Sequence, residues 1–324
     1  TFPTRFGDSV FSASAEENLV HLDFLAAEGL TFRADSFPQG REFLKSEDVW
    51  FRPISFANGP DGNLYLVDLY REYISELLPA AQPAKKGADI DFFRDNGRGR
   101  IYRIVSNNEG QAKYSMPGNA PVDDLIQMLG HSNGWHRETA QRLLVNRADR
   151  QAVSQLRHLA MNQDSSLARL HALWTLEGMN ILDGSLVRAA LIDKDPRIRE
   201  HGLRLAEGLM PELANAVMER LRETVPRVRL QLALTLGKIE GNHRLLARLS
   251  SAYGVEDNWM RTALLASSKP RSLQVLTRIL ARHRSFFDEP TPGKQEFVKK
   301  LAIHIGAERD ANDVTMLLIT LGGS

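Results

Sequence analysis

Cysteine is absent from this chain of 324 residues. Its absence excludes disulfides, thiolate metal sites, cysteine nucleophiles and the Cys-x-x-Cys-His tether of c-type haem, and it leaves the redox compartment open. No run of about 18 apolar residues occurs, so no membrane-spanning helix is expected. The opening Thr1-Phe-Pro-Thr4 is neither an initiator methionine nor a signal peptide, and the chain reads as a piece of something longer. A strong excess of charge is lacking too. The net charge is +1; residues 1–120 hold 13 Lys and Arg against 17 Asp and Glu, and the remainder holds 28 against 23. Nucleic-acid binders show a denser basic stripe, so no nucleic-acid partner is expected. There is no His-Glu-x-x-His helix, Gly-x-Ser-x-Gly elbow, Walker loop or Rossmann fingerprint. His131 and His136 stand five apart with no third ligand nearby and are expected at the surface. No catalytic or metal-ligating set is assigned to the chain.

What is present divides into two parts. With 43% hydrophobic and 25% charged residues, the composition is that of a globular protein, and the length suggests two domains. Up to about residue 106 the pattern is β. Ser9–Ser14, Asn18–Leu25 and Leu30–Asp35 are short alternating runs, followed by strands near 50–57, 63–69 and 100–105. Between the fourth and fifth of these lies Gly59-Pro-Asp-Gly62, a tight turn with a mechanism: Pro60 presets φ and Gly62 tolerates φ > 0. Strands at this spacing suggest a sandwich, barrel or propeller, with enough of them for about two four-stranded blades. Asp61 and Asn63 offer too few oxygens for Ca²⁺ and are read as turn residues. Leu77–Asp89 shows no period and is read as a lid or a mobile excursion. Arg98, Arg100 and Arg103 read as a solvated strand edge.

The ordered motifs Phe51-Arg-Pro53, Gly59-Pro-Asp-Gly-Asn-Leu-Tyr65, Val67-Asp-Leu-Tyr-Arg71 and Gly97-Arg-Gly-Arg-Ile-Tyr-Arg-Ile104 carry a resemblance. Over residues 1–105 the chain resembles the end of the β-propeller of PVC-type membrane-bound dehydrogenases, relatives of the glucose/sorbosone dehydrogenases. The resemblance implies a propeller followed by HEAT-like repeats and often a cytochrome c module. It also implies a periplasmic or envelope-associated oxidoreductase acting on sugars or alcohols, with a quinone or haem c as electron carrier in the full-length protein. The chain departs from the family in lacking most of the propeller and any haem-attachment motif, so it is expected to hold no cofactor and to be inactive alone. Arg52, Asp68, Tyr70 and Arg71 are the candidates for an axial channel. There Arg52 would clamp a carboxylate or quinone oxygen and Asp68 would orient it or accept a proton. The competing reading makes Arg52 and Asp68 a structural pair between blades.

From Pro121 the period changes to that of amphipathic helices. Arg137, Arg169, Arg199, Arg229 and Arg261 are each expected to open a helix, at intervals of 32, 30, 30 and 32 residues, with Ala140, Ala172, Gly202, Leu232 and Leu264 three positions on. Turns ahead of them carry acids or proline, as in Asp193-Lys-Asp-Pro-Arg197 and Thr224-Val-Pro-Arg227, where proline is tolerated at a first helical position. A two-helix unit of about 30 residues repeated five times predicts an α-solenoid resembling HEAT repeats. The arginine row is read as a structural ladder in which an acid bonds the arginine of its own or the next repeat. Trp135, Trp174 and Trp259 are expected in the core. The fold expected is therefore α+β and multidomain: a partial β-propeller over 1–106, a linker over 107–120 and a HEAT-like α-solenoid over 121–324. The solenoid is expected to be a scaffold or docking surface for an electron-transfer partner. The alternative is a non-enzymatic protein-interaction scaffold, and a nucleic-acid-binding solenoid is a third, weaker reading.

Overall fold

The computed structural model describes residues 6–7, 9–37, 40–74, 96–106, 116–162, 164–269, 271–307 and 311–322. Antiparallel sheets of seven strands come first, followed by thirteen α-helices among the described residues. The segment read as a lid, Leu77–Asp89, lies outside the described residues, as does most of the expected linker. The chain divides into two units, Thr1–Leu144 and Val145–Ser324.

In the first unit β1 (Ser9–Ser14), β2 (Leu19–Glu28) and β3 (Thr31–Ser36) form an antiparallel meander, and the short β4 (Leu44–Lys45) pairs with the start of β2. The β2–β3 connection is only two residues long because Gly29 takes φ +58°, which closes a tight hairpin. A second sheet runs β5 (Pro53–Asn58), β6 (Leu64–Asp68) and β7 (Arg100–Ile104), antiparallel throughout. One sheet thus has four strands and the other three among the described residues. Alternation decides which side chains are interior: Leu64, Leu66 and Asp68 are buried while Tyr65 and Val67 are partly exposed. Val20, Phe51 and Leu66 form a core against which Phe11, Phe43, Leu44, Phe56 and Ile104 pack. Val20 and Leu66 are wholly enclosed, each contributing about 1.5–3 kcal/mol. The helices α1 (Val122–Met128) and α2 (Gly134–Arg147) begin in this unit.

The second unit is helical: α3 (Ala152–Asn162), α4 (Ser166–Gly178), α5 (Gly184–Leu191), α6 (Pro196–Ala206), α7 (Ala214–Met218), α8 (Pro226–Leu236), α9 (His243–Tyr253), α10 (Asn258–Ser268), α11 (Ser272–Arg282), α12 (Pro292–Ala307) and α13 (Ala311–Gly322). Their starts follow the punctuation of the sequence. Ser165, Asp183, Asp195 and Asp257 cap α4, α5, α6 and α10 through their side chains, and Pro196 and Pro226 open α6 and α8. The even-numbered helices α4, α6, α8, α10 and α12 each contact the next in the row; α3, α5 and α7 form a second row, as do α9, α11 and α13. Small residues allow the close approaches. A Cβ on Gly202 would stand 3.0 Å from the Ala190 carbonyl carbon, so α6 lies directly on α5.

Candidate functional site

The polar residues of the second sheet gather at the C-terminal end of β6. Arg52 is 2% exposed, and its guanidinium is spent on main-chain carbonyls: Nε donates to Arg71 at 3.0 Å, Nη1 to Ala15 at 2.9 Å and Nη2 to Glu72 at 2.8 Å. Burial pushes its pKa below the usual arginine value. Asp68 is 1% exposed and accepts through Oδ1 from the backbone N–H groups of Arg52 and Tyr70, both at 2.8 Å. These two residues are joined through a backbone amide and a carboxylate rather than by an ion pair of side chains. Asp68 Oδ2 is buried without a partner. Tyr70 sits at φ +48°, a left-handed conformation held by that Asp68 bond. The Arg100 guanidinium lies over its ring at 3.6 Å, and the Trp50 ring is 5.7 Å away. Arg71 enters through its backbone, donating its N–H to Trp50 and accepting from Arg52. Arg52, Asp68, Tyr70 and Arg71 are thus brought together, with Arg52 enclosed as a clamp on the chain.

At the opposite end of the same hairpin the Gly59–Gly62 turn is held from outside the sheet. Gly62 takes φ +77° and Asp61 Oδ1 accepts from Asn63 N–H at 3.1 Å, as a turn requires. Asn133, just ahead of α2, donates from Nδ2 to the Gly59 carbonyl at 2.9 Å, and His136 Nε2 lies 2.9 Å from the Pro60 carbonyl. His136 is 5% exposed, which corrects the expectation of a surface residue: as a donor to a carbonyl it is needed inside. Its Nδ1 is buried without a partner, and the His131 ring lies 4.5 Å away. Burial, then the neighbouring His136, pushes the His131 pKa down. Among the described residues no group of three or more His, Asp or Glu is placed to hold a metal ion.

The arginine row follows one rule. Arg137, Arg169, Arg199, Arg229 and Arg261 each occupy the fourth position of their helix (α2, α4, α6, α8, α10). Helical side chains lean toward the N-terminus, so a long side chain at that position reaches the carbonyls of the preceding loop. Arg137 donates to His131 and Ser132, Arg169 to Asp164, Arg199 to Asp193 and Lys194, and Arg261 to Val255 and Glu256. A carboxylate 24 residues further on completes two of these rungs through Nε and Nη2: Asp193 takes Arg169 at 3.0 and 2.9 Å, and Glu223 takes Arg199 at 2.8 and 3.0 Å. Each acid lies in the loop that leads into the next even-numbered helix, so each rung ties one helix to its successor. Burial pushes the Glu223 pKa up, but the bonds from Arg199 and from the Val225 and Thr224 amides outweigh it and hold the carboxyl below its usual value.

A second cross-helix register, 27 residues, runs along the solvent side of the even-numbered row. Trp174 Nε1 bonds His201 Nδ1 at 3.2 Å, Arg227 bonds Glu200 at 3.3 Å and Arg204 bonds Gln231 at 3.5 Å. This face bears Trp174, Arg204, Leu234 and Trp259. Trp259 is 57% exposed and Trp174 partly so, contrary to the expectation of core residues: the second helical position of α10 points away from α8. Between α4 and α6 the face sinks into a cavity of about 300 Å³ lined by Trp174, Glu177, Asn180, Leu182, Arg204 and Leu209, among others.

A family model described as a domain of unknown function (DUF7133) matches residues 1–108, the sheet-bearing stretch. No curated protein matches the chain. Among the described residues no helix is long and apolar enough to cross a membrane.

Proposed function

We propose that the helical unit is a HEAT-like α-solenoid that docks a protein partner on the solvent side of its even-numbered helices. The two sheets would be about two blades of a β-propeller, belonging to an envelope-associated or periplasmic dehydrogenase of the kind the sequence motifs resemble. In that setting the docked partner is an electron-transfer protein, the quinone or haem c is held elsewhere, and the chain itself does no chemistry. The observation that carries the docking reading is the 27-residue register. It ties α4 to α6 and α6 to α8 one turn out of step, and along the same face Trp174, Arg204, Leu234 and Trp259 offer aromatic, aliphatic and cationic side chains to solvent, a composition enriched at protein interfaces. Support for the dehydrogenase setting comes from the ordered motifs at 51–53, 59–65, 67–71 and 97–104.

Site-specific photo-crosslinking in the producing cell tests this. A crosslinking residue at Arg204, Leu234 or Trp259 is expected to capture one and the same redox-cofactor protein, whereas one at the exposed Arg188 of α5 or Arg248 of α9 captures nothing. Equal capture from both rows, or none from the even-numbered helices, would reject the docking face. A captured protein without a redox cofactor would leave the alternative, a non-enzymatic scaffold.

A further inference from the structure

The arginine ladder has one rung in which both kinds of bond fail; 24 residues on from Arg137 and Arg261 stand Met161 and Ser285, but those two arginines keep their loop carbonyls. Counting 24 residues from Arg169 and Arg199 arrives at Asp193 and Glu223; counting 24 from Arg229 arrives at Tyr253. The tyrosine ring takes the place of the carboxylate, with the Arg229 guanidinium carbon 4.5 Å from its centroid. The phenol is not free to replace the acid, because its O–H donates to the Leu221 carbonyl at 2.7 Å. The other half of the rung is missing as well. Where Arg199 and Arg261 bond two loop carbonyls each, the Arg229 side chain donates no hydrogen bond among the described residues, and only its Nε is enclosed.

Of the Arg229 donors only Nε is shut off from solvent without a partner, which is costly, while Nη1 and Nη2 stay accessible. Stacking satisfies its face but not its donors, which lie in the plane of the group and point away from the ring. In both complete rungs the arginine's planar fork meets a carboxylate, there on the Nε–Nη2 edge; at Arg229 Nε is enclosed, which leaves the Nη1–Nη2 edge as the fork open to the same group. We propose that Arg229, stacked on Tyr253, is a receptor for a carboxylate supplied from outside the array, held end-on by Nη1 and Nη2. The proposal does not depend on the docking reading.

The test observes Arg229 directly in the full chain by ¹⁵N-edited NMR of arginine side chains, with the resonance assigned through Arg229→Lys. Sodium acetate and the capped tripeptide Gly-Glu-Gly are the probes, with sodium chloride at matched ionic strength and Gly-Gln-Gly as controls. A saturable shift with a carboxylate, absent with both controls, is the expected result. If acetate and the peptide act alike, a free carboxylate is sufficient; if the peptide alone acts, the site reads an acidic side chain within a chain. Tyr253→Glu supplies the missing internal acid and should abolish the shift while raising Tm. Should that variant fail to fold, Tyr253→Phe keeps the stack and should retain the shift. No saturable shift, the same shift with chloride, or persistence of the shift in a folded Tyr253→Glu protein would overturn the proposal.

Discussion

If the ladder joins consecutive helices, cutting one rung should cost far more than cutting a surface ion pair. The Arg199–Glu223 rung is the best place to ask. Its side chains are 16% and 6% exposed, its two bonds are 2.8 and 3.0 Å, and Glu223 also receives the Thr224 and Val225 amides at 3.0 Å. Glu223→Ala leaves a partly buried cation short of its acid and two loop amides without an acceptor, a loss of about 3 kcal/mol. In a unit of this size that is a fall in Tm of roughly 6–12 °C. The Arg199/Glu223 double-mutant cycle should return a coupling of about 1.5–3 kcal/mol. The exposed Arg188–Glu212 pair, 3.4 Å apart with side chains 48% and 60% exposed, serves as control; it should return no more than about 0.5 kcal/mol. Urea melts of the seven proteins in the two cycles, which share the wild type, give both numbers. Because folding lowers the Glu223 pKa, its contribution is complete above the unfolded value and is lost as pH falls through the folded one. The coupling should therefore shrink in acid. Equal couplings for the two pairs, or a rung indifferent to acid, would refute the claim that these bonds hold the helices in register.

The other expectations concern single sites. Asn133→Ala removes the donor to Gly59 and the side-chain acceptor of the Trp135 amide at 3.0 Å; it should cost about 1–2 kcal/mol and lower hydrogen-exchange protection at the Gly59 and Gly62 amides. Gly202→Ala sets a methyl 3.0–3.1 Å from Ala190 and the Leu191 nitrogen, and overpacking should outweigh the gain in helix propensity by about 1 kcal/mol. Gly208→Ala meets nothing within 4 Å and should be neutral or stabilise by about 0.5 kcal/mol; thermal melts separate the two. The Ser185 hydroxyl and then Arg157 lower the Asp183 pKa to about 2 from the usual 3.8. The stability this adds is present above pH 4 and is lost between about pH 4 and 2. As the side chain is 45% exposed, the difference from Asp183→Asn should not exceed about 1 kcal/mol across that range.

How far the sequence could be read depended on the separation over which a residue finds its partner. Strand alternation and the Gly59–Gly62 turn are local, and the strands, the positive φ of Gly62 and the Asp61 bond follow from neighbouring residues. The helix starts are local too, since caps and first-position prolines act within three residues. The arginine row showed through its spacing, but its partners did not. Asp193 and Glu223 differ in type, and the third member of that series is a tyrosine, so no acidic period of 24 stands out. His136 was misplaced because the atom that draws it inward, the Pro60 carbonyl, is 76 residues earlier. Trp259 was misplaced for the reverse reason: apolar composition suggested burial, whereas its turn of helix faces solvent. The Arg52 clamp depends on carbonyls of Ala15, Arg71 and Glu72, which carry no residue-specific signal at all.

One physical device recurs in both units: a guanidinium closing over carbonyls where the chain changes direction. Arg52 does this at the end of β6 and Arg137, Arg199 and Arg261 at the loops before α2, α6 and α10. A lysine has three donors on one atom and could not span two carbonyls and a carboxylate at once; the planar fork of arginine does so without rearrangement. It follows that a prominent, regularly placed arginine in this chain is by default committed to the backbone, and that exposure or periodicity alone does not mark it for a ligand. The arginine that remains available is the one whose donors the rule leaves unclaimed. In the row, that selects Arg229, the member whose acid has become an aromatic ring.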